Sequence, residues 1–591
     1  MTVSRSLRSV GVSFTKGLVT VLFVLTVLAT GASAQWATES YSLLPGWNAI
    51  WLPIDCSDRT IDTILSGAQI DQVWQWNPPT SGGFTQSPST PAPSDVQWRQ
   101  WVSGGLNNQL GALTGNAAYL FHVTSSSPYS ISFTGAPLLP VLPWNNSGVN
   151  LVGFPTAAVS PVDLYDFFKI CPALSGNPPV FSYPGGQESD GTVPPPVQVT
   201  QPIQTPVVRN QAYWVQSTTY TSYYGPIAVT ISGANQLSYG SSTVNLTVQV
   251  KNATDPALGQ SLTATLTPAA SAAAPSGPAI AGSVPLMVQS ALNPTTGSYT
   301  YSPLTSYTTS SLAPGQYVTV TLAVNRAAMT APAGSVYQSL LNVTDSLGYT
   351  SVNLGVNAVT SSYAGVWSGT ATITGVDEVL SAQQVSGGQP VTDSSGNPVV
   401  AVTTNPTTAV VSPFALRFLL HQAAGGACNL LQQIFLANDS NNVQYACLTE
   451  AGLSAINNRS GPAGRLSSAF FPPGPQGQPG VYAGSGVLGL GGSSTYTINM
   501  GAGDSTNPFL HEYHPDHGPA NSFPVGRTVT LTFQPTLPGV SDTDPTWGST
   551  TLGGTYQETI TGLRAAANQG GVNVTGTFVI HRVNSAAALQ Q

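Results

Sequence analysis

Charge is scarce in this sequence. Asp, Glu, Lys and Arg make up 6% of the 591 residues, and only two lysines, Lys169 and Lys251, follow the first 34 residues. Phosphate binding needs clustered cations, so nucleic acid is excluded as a partner class. With few ions on offer, Ser, Thr, Asn and Gln must carry the solubility of the surface. Long apolar runs are equally rare. The one of note, Gly17 to Ala29, follows Arg5, Arg8 and Lys16 and precedes Ala32-Ser33-Ala34. It is shorter than the ~20 residues of a spanning helix, and the pattern predicts a secretory signal over 1–34, cleaved after Ala34. Gln35 is not the cysteine that a lipid anchor requires. The mature chain is then expected to be soluble and secreted or held at the cell surface, with no transmembrane segment. Its 12 basic residues against 23 acidic ones give a net charge of −11.

Cysteine is sparse too. There are four, none in a C-x-x-C pair, which argues against a thiolate metal site. An even number in an exported chain predicts disulfides. Cys428 and Cys447 flank the turn-forming Asn438-Asp439-Ser440-Asn441, and a bridge across that hairpin would stabilise the fold by about 3 kcal/mol. For Cys56 and Cys171 the spacing leaves pairing and free thiols open.

Catalytic signatures are missing as well. No G-x-S-x-G elbow occurs and no lysine follows a phosphate-binding loop. Gly484 to Gly489 fits G-x-G-x-x-G, but it runs into Gly491-Gly492 and a strand, so it reads as a glycine-rich loop. Asp542 and Asp544 resemble part of a calcium loop whose remainder is lacking. Paired carboxylates for glycoside hydrolysis stay open, because their spacing is set in space. His122, His421 and His581 read as core or strand histidines.

What is present begins with a duplication. Gly46-Trp47-Asn48-Ala49-Ile50-Trp51-Leu52-Pro53 recurs as Gly148-Val149-Asn150-Leu151-Val152-Gly153-Phe154-Pro155. Val73 to Trp76 answers to Val180 to Tyr183, and Asn116 to Phe121 answers to Asn210 to Val215. Two copies of one module follow, at 35–143 and 144–235. Each is expected to hold a proline-stopped strand, a short helix (Ile61 to Leu65 after Ser57-Asp58; Leu164 to Phe168 after Ser160-Pro161) and a strand with alternating aromatics. The order resembles a tandem "GWN…LP, W-x-W, AYWV" module of large exported, surface-associated proteins of environmental bacteria. The resemblance covers about residues 40–235 and implies a location rather than an activity. Nine of the eleven tryptophans precede residue 215. Exposed, Trp47, Trp51, Trp74 and Trp76 would form a glycan-binding platform; buried, they would fill two small cores.

Alternating apolar residues at Val244 to Val250 and Val318 to Val324, with a hairpin over Tyr337 to Val356, predict an immunoglobulin-like sandwich at 236–360. Pro268 to Pro285 reads as a surface loop. Residues 361–591 are expected to form a C-terminal β-sandwich or barrel, with Gly365 to Val376 beside Thr559 to Leu563 and insertions at 383–412 and 457–495.

Three of the six histidines lie between Phe509 and Gly518. Prolines at 508, 515, 519 and 524 exclude a helix there. A loop can converge His511, His514, Asp516 and His517 on a transition metal, zinc foremost, with Asp504 as a further acceptor and Glu512 as a base. The other reading is a plain turn. The metallo-β-lactamase motif H-x-H-x-D-H and the zincin motif H-E-x-x-H both fail on spacing.

The sequence thus predicts a mainly β, multidomain, non-enzymatic protein that binds cell-surface or matrix components, including polysaccharide, and requires no cofactor. The alternatives are a metal-dependent hydrolase using the 511–517 loop and a glycan binder using the tryptophans of the first module.

Overall fold

The computed structural model describes residues 35–77, 88, 90–92, 96–140, 144, 148–157, 161–174, 178–217, 221–295, 297, 299–404, 408–468, 480–504, 507, 524–536, 544–562 and 571–591, of which the side chains of 378–383 and 400–412 are left aside. The protein is mainly β and multidomain.

The first module is built on a four-stranded antiparallel sheet in the order Gly46–Leu52, Ala117–Val123, Ile70–Trp76, Trp98–Val102. One of its faces packs on a second sheet made by Ala37–Leu43, Tyr129–Pro137 and Ile54–Asp55. Ala37–Leu43 alternates buried and exposed along its length, as period-2 geometry requires of a strand with one wet face. In the second module Gly148–Gly153 and Val180–Ser182 flank Ala212–Ser217. The same three strand motifs are therefore adjacent in each copy. Asn116 (φ 54°) and Asn210 (φ 67°) enter the matching strands in the left-handed conformation that asparagine tolerates. The short helices form as Ile61–Ile64 and Leu164–Lys169. Their caps are Thr60 and Asp163, each closer to its helix than the expected serine, because these side chains reach the backbone N–H of Thr63 and Asp166.

The two modules do not have separate cores on their facing sides. Trp47, Trp51, Trp74, Trp76 and Trp98 from the first pack with Leu151, Phe154, Phe167 and Trp214 from the second in one hydrophobic cluster.

The sandwich has one sheet of five strands and one of six around a core that includes Val248, Leu266, Leu322 and Leu354. It takes in Ile227–Ile231, which pairs with Asn245–Asn252 ahead of the expected boundary at 236. The predicted hairpin is present as Val336–Asp345 paired with Ser351–Val359. The Ala/Ser/Pro-rich stretch is less loop-like than expected: Ala264–Ala270 and Ile280–Gly282 both pair with Val336–Asp345.

The C-terminal domain is a closed, eight-stranded antiparallel barrel. Gly365–Gln383 opens it and Gly571–Asn584 closes it by pairing back on that first strand. Thr551–Thr561 is thus one strand removed from Gly365–Gln383, a correction to the expected adjacency. The 457–495 insertion also supplies a barrel strand, Val481–Gly486, which contains the first glycines of the G-x-G-x-x-G stretch. The lumen is filled by Trp367, Phe418, Tyr496, Phe533, Tyr556 and Phe578, one of the two states open to a barrel of this size. Among these apolar residues Glu558, 3% exposed, accepts from Arg527 Nε at 2.5 Å and from the Tyr556 hydroxyl at 2.8 Å.

Candidate functional site

The residues proposed as metal ligands, His511, His514, Asp516 and His517, and the base Glu512, lie outside the described residues. Asp504 is described; its N–H donates to the Gly501 carbonyl at 3.1 Å and its carbonyl accepts from Asn507 N–H at 2.9 Å. Among the described residues no group of three or more His, Cys, Asp or Glu side chains is placed to hold a metal ion. His421 is 1% exposed, with Nε2 at 3.2 Å from the Ala586 carbonyl. His122 joins the modules instead of filling a core: Nδ1 lies 2.6 Å from Asp71 Oδ1 and Nε2 lies 2.8 Å from Gln187 Oε1.

The expected bridge between Cys428 and Cys447 is not formed, and all four cysteines are free and buried. The hairpin itself is real, but it begins at Gln433 and sets Phe435 opposite Cys447. Cys428 belongs to Cys428–Leu431, a strand of the barrel, and its thiol meets the Tyr496 hydroxyl at 2.8 Å inside the lumen. Burial pushes Cys56 up to about 12 and Cys171 and Cys428 up to about 11, so these thiols stay protonated.

The tryptophan platform is likewise overturned. Trp47, Trp51, Trp74 and Trp76 are between 3% and 5% exposed, because the face of the sheet that carries them is covered by the second module. Trp51 rests on Gly153, its own counterpart in the repeat. A Cβ at Gly153 would come within 2.2 Å of the Trp51 Cβ, so only glycine fits there. The strand also leans on the other copy through its backbone, with Trp51 N–H donating to the Asn210 carbonyl at 2.8 Å.

Between the two modules this packing leaves a cavity of about 150 Å³, partly open to solvent. Trp51, Gln75, Trp76, Asn77 and Asn116 line it from the first module, and Asn150, Leu151, Val152 and Tyr224 from the second copy and the chain just after it; Trp144 stands between. The rings are held edge to face: Trp76 against Trp214 at 5.3 Å and Trp144 against Tyr224 at 6.1 Å. Gln75 Nε2 donates to Thr114 Oγ1 at 2.9 Å, and Asn116 Nδ2 donates to the Leu139 carbonyl at 2.6 Å. None of the described lining residues carries a formal charge, and burial pushes the Tyr224 phenol well up from its usual value, so it too is neutral.

Among the described residues several polar atoms of this wall have no partner: Trp51 Nε1, Trp76 Nε1, Asn77 Nδ2 and Asn116 Oδ1. Buried indole N–H groups ordinarily find an acceptor, and native interiors keep few orphans of any kind. Each such group costs about 1–3 kcal/mol relative to a satisfied one. All four are shut off from the cavity as well as from bulk solvent, so they lie within its wall. The sequence reading fixed on the indoles and passed over Gln75, Asn77, Asn116 and Asn150. The one available signal was the asparagine shared by Asn116-Ala117-Ala118-Tyr119 and Asn210-Gln211-Ala212-Tyr213.

No family model matches the chain. No curated protein matches it. Among solved structures, a Bacteroides ovatus protein described as of unknown function is 9% identical, with 61% of this chain and 96% of that one covered and a TM-score of 0.15. Escherichia coli alpha-2-macroglobulin activated by porcine elastase is 10% identical, with 80% and 47% covered and a TM-score of 0.13. Likenesses this slight carry no argument about fold or function.

Proposed function

We propose that the protein is an exported, non-catalytic binding or structural protein of the cell surface or extracellular matrix. In this reading the tandem modules and the sandwich form one stiff unit that presents the barrel. The observation that carries it is a single buried joint shared by all three N-terminal domains. Glu39 of the first module accepts from Arg209 Nη2 at 2.7 Å and from Asn210 Nδ2 at 2.8 Å, both in the second module. Arg209 Nη1 donates onward to the Thr156 carbonyl at 2.8 Å and to the Ser351 carbonyl of the sandwich at 3.2 Å. Domains fastened in this way cannot hinge freely, which suits presentation better than a catalytic cycle that opens and closes.

The test is binding without turnover. Labelled full-length protein is expected to bind producer cells or their extracted polysaccharide and to release no cleavage product. Bond cleavage that disappears in His514→Ala would overturn the reading in favour of a metal-dependent hydrolase. Absence of binding to cells, matrix and polysaccharide alike would remove the assignment to the surface.

A further inference from the structure

Backbone groups are left unpaired along one edge of the first module. Ala37–Leu43 borders its sheet and pairs there only with Tyr129–Pro137. On the far side of Tyr129–Pro137, the Thr134 carbonyl accepts from Arg59 Nη2 at 2.9 Å and Leu138 N–H donates to the Pro53 carbonyl at 3.1 Å. Even-numbered residues of that strand therefore face away from Ala37–Leu43, so Ala37, Glu39, Tyr41 and Leu43 are the hydrogen-bonded positions of the ladder. The N–H and C=O groups of Thr38, Ser40 and Ser42 point outward, and among the described residues they have no partner. The same edge is closed at both ends by groups that stand where a next strand would. The Asn48 carboxamide accepts from Leu44 N–H at 2.8 Å and donates to the Leu44 carbonyl at 2.8 Å. The Ser271 hydroxyl accepts from Trp36 N–H at 2.9 Å, and the Trp36 carbonyl accepts from Ala272 N–H at 2.7 Å. We infer that the open stretch between these ends accepts a short, uncharged, extended segment of another protein as an added strand. The inference stands on this edge alone and holds whether or not the chain is catalytic.

Exposed edges are ordinarily blunted. This one has no proline, no lysine and no bulge, and its seven residues keep an unbroken register. Its one charge, Glu39, turns inward at 7% exposure and is held by Arg209. Neighbouring edges are covered: the N–H groups of Gln109 and Leu110 donate to the Gln100 carbonyl on Trp98–Val102, and Gly46–Leu52 is held at Trp47 and Trp51 by the Gly186 and Asn210 carbonyls. Beside the open edge runs a groove of about 360 Å³. Residues 40–44 form one wall with side chains of both parities, as happens alongside an edge and not over a face. Residues 48–50 are the floor, and residues 183–185 and 208–211 of the second module are the far wall. From Ser40 to Leu44 the wall runs about 14 Å at ~3.4 Å per residue, enough for four or five residues of an extended chain. Gly185 closes the Leu44 end, where a Cβ would come within 2.9 Å of Leu44 Cδ1. The outward groups recur at every second residue, about 6.8 Å apart, and another extended backbone has that same repeat. Arg209 is the one ionised group among the described lining and is already paired with Glu39, so a charged side chain in the groove would be desolvated without a counter-charge. On the outer face the Thr38 and Thr134 hydroxyls bond at 2.8 Å, as do those of Ser40 and Ser132, so hydroxyl or small side chains on the added strand continue these rows.

The experiment titrates the full chain into fluorescein-labelled, end-blocked hexapeptides: alternating Thr and Val, alternating Ser and Ala, alternating Glu and Val as the charged control, and the Thr/Val peptide N-methylated at every residue. Anisotropy reads binding, and amide hydrogen exchange followed by mass spectrometry reads its place. At least one neutral peptide is expected to saturate and to slow exchange over residues 38–43. N-methylation removes the donors of the peptide, and loss of two neutral hydrogen bonds should weaken binding about ten- to hundredfold. Ser42→Pro deletes an N–H that the fold leaves unpaired and sets a ring in the path of the added strand. Proline is tolerated on an edge of this kind, and binding should fall by about tenfold or more. Urea unfolding verifies that the variant is folded; if it is not, the N-methylated peptide and the exchange data decide. Absence of saturable binding by both neutral peptides overturns the inference. So does equal binding of the N-methylated or charged peptide, equal binding by a folded Ser42→Pro, or binding that leaves exchange over residues 38–43 unchanged. Light scattering on the chain alone covers the remaining occupant: dimerisation that Ser42→Pro abolishes would mean that a second copy fills the edge, which overturns it as well.

Discussion

Arg209→Met is the sharpest test of the joint between the N-terminal domains. The substitution keeps the stem of the side chain and removes the guanidinium, leaving the Glu39 carboxylate with Asn210 as its only remaining partner in the joint. Side-chain exposure is 17% for Arg209 and 9% for Glu39, so neither charge can turn to water for compensation. Breaking a buried pair from one side costs about 3–5 kcal/mol, far more than the ~0–1 kcal/mol of a surface pair. Replacing both partners, as in Glu39→Leu with Arg209→Met, removes the stranded charge and should recover most of the loss. Urea unfolding followed by tryptophan emission reads this region selectively, because nine of the eleven tryptophans precede residue 215. Calorimetry adds a second readout: the modules and the sandwich should unfold together in the wild type and in separate transitions in the variant. A loss below about 1 kcal/mol, or one that added salt reproduces in the wild type, would place the pair among surface ion pairs and refute the reasoning.

Other consequences are equally direct. Gly153→Ala pushes a methyl against the Trp51 Cβ at 2.2 Å, and such overpacking should cost about 1–3 kcal/mol in the same urea assay; a neutral result would mean that the modules are not in contact there. Ellman titration near neutral pH should detect no thiol in the folded chain and four after unfolding, whereas two would establish a bridge. Because burial raises the Cys56 thiol from 9.0 to about 12, its contribution to stability is complete below pH 9 and is lost as pH rises toward 12, which alkaline unfolding curves will show. Burial holds the His421 imidazole below its usual 6.5, only partly offset by the Ala586 carbonyl. Its contribution is therefore present above that value and lost as pH falls beneath it, and His421→Gln should flatten the acid limb of the stability profile.

Periodicity made the sandwich strands legible: the Val244 to Val250 alternation became Asn245–Asn252, and the Tyr337 to Val356 hairpin is present as Val336–Asp345 paired with Ser351–Val359. The duplication was legible from ordered motifs, and the structure gives those motifs the same neighbours in both copies. The disulfide was not, because its premise was one hairpin from Leu430 to Leu448, and the chain changes sheet at Gln432 between Cys428–Leu431 and Gln433–Asp439. Nor was barrel closure: similar strand endings say that two strands are alike, while the pairing of Gly365–Gln383 with Gly571–Asn584 depends on the geometry of the whole circuit. The fate of the indoles was hidden for a related reason. Alternation tells which residues share a face of a sheet, but not whether that face meets water or another module.

That hidden contact explains why the copies differ. Trp51 and Gly153 occupy equivalent places in the repeat and touch in the fold, so the two positions are complementary by necessity: two indoles would collide and two glycines would leave a void. Once the first copy takes the bulk, the second must give way, and Val149 opposite the repeat position of Trp47 follows the same division. A face divided between large rings and small residues does not close perfectly. The residual space lies where Trp51 and Trp76 from one copy meet Asn150 to Val152 from the other. Its carboxamides come from Asn77 and Asn116, at the ends of first-module strands, and from Asn150 within Gly148–Gly153, which is why a polar cavity arises inside an aromatic interface. The difference between the copies thus accounts for both the packing that joins the modules and the space left between them. The packing is what substitution tests directly: Gly153→Ala should cost stability by forcing a methyl against the Trp51 Cβ, and a smaller residue at Trp51 should relieve that cost.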